Sequence, residues 1–154
     1  MAKSSFADWL AALLRHLHFP EAATPSPVAT FHFEGKPDVH VTGSKGQVDM
    51  MSEAGLLAAP YSTDILLGLL ALNRCSGADD PANVMLHSAS GTVIVWARQR
   101  QAALDAVEGA RLLQAVPQKS EAVQRLLGKP PQAVSRRDAA ALKRLLPRQV
   151  QKPT

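Results

Sequence analysis

Apolar residues recur at helical spacing near the start of the chain. Phe6, Trp9, Leu10, Leu13, Leu14 and Leu17 fall on one stripe, and Ser5 with Asp8 forms an S-x-x-D capping box in front of them. The pattern predicts one amphipathic helix over about residues 5–18, which Pro20, Pro25 and Pro27 prevent from continuing. The period then changes to two. Val28–Glu34 and Asp38–Thr42 alternate across a Gly35-Lys36-Pro37 turn, and Gly43-Ser44-Lys45-Gly46 turns the chain into Gln47–Ser52. A three-stranded meander follows from this. Pairing Glu34 with Asp38 sets Phe33 against Val39 and Phe31 against Val41, while pairing Thr42 with Gln47 sets Val41 against Val48 and Val39 against Met50. Both registers gather the apolar residues on one face, which is what fixes register in a half-buried sheet.

Residues 53–61 hold Gly55 and Pro60 and read as a connection. Ser62-Thr63-Asp64 caps a second helix, Ile65–Arg74, which is apolar almost all round and so needs cover on more than one side. Gly77–Pro81 ends it. A hairpin follows, Val84–His87 and Thr92–Ala97 around Ser88–Gly91; its second strand, Val93–Trp96, is apolar on both faces and is therefore central or covered by a partner. A third helix is expected over about 102–115, with Leu104, Val107, Leu112 and Val116 as its stripe, before Pro117. Beyond it, Ser120–Leu127 reads as a short separate helix, and Ser135-x-x-Asp138 caps a last basic helix over 138–146. The expected division is a domain over 1–116 and a basic tail over 117–154, partly helical or disordered.

At 154 residues and 46% hydrophobic content the chain is one domain with a real core. No apolar run approaches the roughly 20 residues of a membrane span, no signal-peptide core opens the chain, and a cytoplasmic, reducing setting is expected. Cys75 is the single cysteine, which excludes an internal disulfide and a multi-thiolate zinc site. The net charge of +4 hides a split: residues 1–108 carry 7 Lys/Arg against 11 Asp/Glu, and residues 109–154 carry 10 against 2. A basic tail on an acidic body is an interaction segment more often than a domain that reads nucleic-acid bases, since base readout needs a positive folded surface.

Catalytic motifs do not emerge. There is no Walker A loop, no G-x-G-x-x-G after a strand, no H-E-x-x-H and no G-x-S-x-G. His16 and His18, two apart on a helix, point to different sides. The guessed registers bring His32, His40 and Asp49 into one row, a set with the chemistry of an open zinc site, but it lacks further ligands and a supporting shell. A solvated sheet face is the expectation, with no metal and no cofactor. Cys75 has no activating base and is expected to be a buried or interface thiol.

The order of elements resembles the small effector chaperones of bacterial type III secretion systems over about residues 4–116. The most specific stretch is the helix DILLGLLALN, Asp64–Asn73, followed by a polar loop and the hairpin VMLHSASGTVIVWAR, Val84–Arg98. The resemblance implies an α+β fold: helix, three-stranded antiparallel meander, helix, β-hairpin, helix, here with a basic C-terminal extension. It implies a bacterial, cytoplasmic, non-enzymatic homodimer that holds the N-terminal segment of a secreted effector in extended form and presents it for export. Client contacts are expected at Leu10, Leu14, Leu17, Phe31, Phe33 and Val39, and dimer contacts at Ile65, Leu66, Leu69 and Leu70. Arg136, Arg137, Lys143 and Arg144 of the tail are expected to dock on an acidic surface such as a component of the secretion apparatus. Membrane insertion and nucleic-acid binding are not expected; a phosphate- or nucleic-acid-binding accessory protein acting through the tail is the alternative.

Overall fold

Ser5 opens the first helix as the sequence requires. Its hydroxyl oxygen accepts from the Asp8 N–H (3.2 Å), while the Asp8 carboxylate accepts from the Ser5 backbone N–H (2.8 Å), and this box starts α1, Phe6–His16. The Ser5 hydroxyl, donating to the Asp8 carboxylate at 2.7 Å, and then the Ser5 N–H hold the exposed Asp8 carboxyl below its ordinary pKa. The computed structural model describes residues 5–19, 26–73 and 81–128. In chain order α1 is followed by β1 (Val28–Phe31), β2 (Val39–Ser44), β3 (Gln47–Leu56), α2 (Thr63–Leu72), β4 (Asn83–His87), β5 (Thr92–Arg100) and α3 (Ala106–Leu126). The fold is α+β, with one antiparallel sheet in the order β1-β2-β3-β5-β4. Cys75, the Gly77–Asp80 breaker and everything expected of residues 129–154, including Arg136, Arg137, Lys143 and Arg144, lie outside the described residues.

The meander forms with both registers displaced by two residues from expectation. Val39 pairs with Phe31 rather than Phe33, and Val41 pairs with Met50 rather than Val48. A slip of two keeps every side chain on its face, so Phe31, Val39, Val41, Val48 and Met50 still line the buried side. β3 also runs on to Leu56, past the expected end at Ser52. Its alternation continues through the buried Ser52 and Ala54, and the register shift between Glu53 and Gly55 absorbs one residue beside β5. β5 is internal, between β3 and β4, with Val93, Ile94 and Val95 all buried.

The third helix differs most. It begins four residues later than expected because Asp105, accepting from the Glu108 N–H at 2.8 Å, is its cap. It then continues without a break through Pro117 to Leu126. Proline removes the N–H that would reach the Leu113 carbonyl, an interior penalty of about 3 kcal/mol. Tertiary packing outweighs it: Val116, Pro117, Ser120, Val123 and Gln124 are all buried. The Lys119 ammonium donates to the Ala82 carbonyl at 2.5 Å, and Lys36 meets Glu121 at 3.6 Å. The compact unit therefore extends past residue 116, and the segment 120–127 is the end of α3 rather than a separate helix.

α3 lies across β3 and β5, flanked by α1 and α2. Two glycines set these distances. A Cβ at Gly109 would stand 2.8 Å from the Trp9 ring, and one at Gly68 would stand 2.8 Å from Leu126, so α1 and α2 each approach α3 through a missing side chain.

Candidate binding surfaces

The end of α1 is built around a residue that periodicity does not reveal. His18 takes φ 58°, its N–H donates to the Arg15 carbonyl, and the Phe19 N–H returns to the Leu14 carbonyl at 2.9 Å. This is a Schellman ending with histidine where glycine is usual. It directs Phe19 back over the sheet, where its ring meets the Phe31 ring edge-on at 6.1 Å. Phe19 nevertheless remains 50% exposed, and Val28 at the start of edge strand β1 remains 38% exposed. Leu14, Leu17 and Phe33 are partly buried against the core. Leu10, Phe31 and Val39, expected among the client contacts, are buried in the chain's own core, and Val39 is inaccessible. The outward apolar surface at the end of α1 is thus Phe19 with Leu14 and Leu17, on the helix side of the sheet; Val28, two residues before Thr30 on β1, lies on the polar side. The sequence signal for Phe19 was the Phe-Pro step, since helices end shortly before proline.

A second apolar surface lies on α2. Leu69 points into the core and Ile65 and Leu66 are half-buried, whereas Leu67 and Leu70 are 59% and 64% exposed. Of the four residues expected at a dimer contact, Leu70 faces outward and Leu69 does not; Leu67, which was not among them, also faces outward. On the edge strand β4, Met85 is 41% exposed.

The polar sheet face disperses the three residues of the suspected row. His32 bonds Asp38 at 2.8 Å, His40 bonds the Thr30 hydroxyl at 3.0 Å, and Asp49 holds the Arg98 guanidinium at 2.6 and 3.3 Å. No group of three or more His, Cys, Asp or Glu among the described residues could hold a metal ion. Burial pushes the His40 imidazole below its ordinary pKa, against the opposing charge of Asp38. Arg98 also stacks over Trp96 at 5.6 Å, and hydrogen bonding to Asp49 raises its already high pKa. No described helix is long and apolar enough to cross a membrane.

No family model matches the chain, and no curated protein does. Solved structures do. A chain of the heterodimeric ExoU–SpcU complex from the type III secretion system of Pseudomonas aeruginosa matches with a TM-score of 0.64 at 17% identity, over 76% of this chain and 96% of that one. The structure of the Yersinia pestis type III secretion chaperone SycH with a stable fragment of YscM2 matches with a TM-score of 0.62 at 15% identity, over 77% and 99%. YbjN from E. coli, named as a candidate transcription regulator, matches with a TM-score of 0.52 at 13% identity, over 83% and 96%. The chain has the fold found in these type III secretion chaperone complexes.

Proposed function

We propose that this protein is a non-enzymatic chaperone that binds the N-terminal segment of a type III secreted effector in extended form and presents it for export. The observation that carries this is the surface where α1 ends beside β1. Phe19 is exposed on it over the helix-facing side of edge strand β1, and Leu14 and Leu17 widen it. An extended segment can use such a place twice, burying alternate apolar side chains and adding main-chain hydrogen bonds at the edge. A client without its own fold loses about 2–5 kcal/mol in becoming ordered, which keeps a large contact releasable. The same fold in complexes of secretion chaperones with their partners supports the reading.

A homodimer through α2 belongs to the same proposal, with Leu67 and Leu70 outward beside Ile65 and Leu66. A twofold interface uses one patch twice, which suits a single apolar helix face. The test is co-expression with candidate effectors. Phe19→Glu should abolish co-purification while leaving the melting temperature near that of the wild type. Undiminished capture by this variant would remove the α1–β1 surface from the account.

A further inference from the structure

The sheet has two edges, and they are finished differently. β1 is one, and β4 is the other. β4 reads Asn83-Val84-Met85-Leu86-His87, with no proline and no Asp, Glu, Lys or Arg, so it lacks the usual sequence devices that keep an edge from pairing with another chain. The device lies instead at the end of α2. The Asn73 side-chain amide donates to the Val84 carbonyl at 2.7 Å, and its oxygen accepts from the Val84 N–H at 2.6 Å.

In an antiparallel ladder each residue turns both main-chain groups either toward its partner strand or away from it. Val84 is opposite Val95, yet both its groups are taken by Asn73, so Val84 is an outward residue of the edge. A carboxamide carries one donor and one acceptor side by side, the same pair that a neighbouring strand would present. Two residues earlier, the carbonyl of Ala82 accepts from the Lys119 ammonium. Two residues later, Leu86 is the last outward position before the Ser88–Gly91 turn. Strand addition needs a run of such positions, and its centre is filled from within the chain.

We propose that Asn73 is a strand-mimicking plug that keeps β4 from pairing with β4 of a second copy of this chain. A twofold axis brings a strand antiparallel to its own copy, so β4 is competent for such pairing once open, and Met85, exposed on it, would add a side-chain contact. With the plug in place, the sheet ends at five strands. The inference does not depend on the chaperone reading.

The experiment uses the full chain and residue-resolved amide hydrogen exchange together with light scattering over a range of protein concentrations. In the wild type the Val84 amide is protected at every concentration. In Asn73→Ala it should exchange about tenfold faster in dilute protein, as expected for a lost hydrogen bond, while the Val95 amide stays as it was. Raising the concentration should restore Val84 protection as a species of twice the wild-type mass appears. If Asn73→Ala loses protection at Val95 as well, Asn73→Ser, too short to make both bonds, is measured by the same two readouts. The proposal is overturned if Val84 protection is unchanged by the substitution. It is equally overturned if lost protection does not return with concentration, since Asn73 would then be only the cap of α2.

Discussion

Ending the chain at Val116 removes the second half of α3, and the structure allows its cost to be worked out. Val123 is fully buried and Leu126 and Leu127 are half-buried against the core. Burying such a side chain completely stabilises by about 1.5–3 kcal/mol, so Val123 contributes about 2 and each leucine about 1. The Lys119 bond to the Ala82 carbonyl adds about 1 kcal/mol. The total is about 5 kcal/mol, the lower limit of what a whole domain of this kind has to lose. A chain ending at Val116 should therefore melt at least about 15 °C lower than the full chain, or show no cooperative melt at all. A chain ending at Gly128, which keeps α3 whole, should melt within about 2 °C of it. Circular dichroism on the three chains decides the matter. A cooperative transition of the shorter chain at the wild-type temperature would refute the reasoning, because it would mean that the buried end of α3 contributes nothing.

Other consequences are more local. Replacing Leu67 and Leu70 with Glu puts charge on an exposed face and should give folded monomers by light scattering, whereas Leu69→Glu buries an unpaired charge and should give insoluble protein. Monomers from the unaltered chain would contradict the α2 dimer. His18→Gly should raise stability by about 1 kcal/mol in denaturant titration, because glycine adopts φ 58° without a Cβ penalty; a loss would show that the His18 ring makes a contact of its own. The His40 pKa is lowered in the fold, so below the ordinary histidine range the unfolded chain binds more protons than the folded one. Stability should therefore be full above about pH 6.5 and fall as pH drops from there toward the folded value, and His40→Gln should flatten that part of the profile. An identical fall in the variant would assign it to other groups.

The elements of this fold were legible because two periods alternate along the chain. α1 with its capping box and the β4–β5 hairpin lie where spacing and turn residues put them, whereas the β2–β3 turn tightens to Lys45-Gly46. Register was legible only modulo two, since Phe31 and Phe33 are interchangeable by face and only their packing chooses between them. Pro117 misled because its local penalty is smaller than the burial of Val116, Ser120 and Val123 around it, and burial is a property of the whole fold. The outward face of α2 could not be read, because a helix apolar all round has no direction; Gly68 against Leu126 is what turns Leu69 inward and Leu67 and Leu70 outward. Phe19 escaped for the opposite reason. It lies beyond the last helical turn, and only a left-handed residue at His18 brings it back over the sheet. Asn73 was visible as the end of a helix, and its second role appears only when β4 is beside it.

The most direct test of the central claim is to purify the full chain from cells that make it with whatever it holds, digest the complex with protease, and sequence what the protein protects. The account predicts one protected fragment, from near the N-terminus of a secreted protein, that shows no cooperative folding once released. A protected fragment that folds by itself, or a nucleic acid held in a strongly salt-dependent way in place of any peptide, would contradict it.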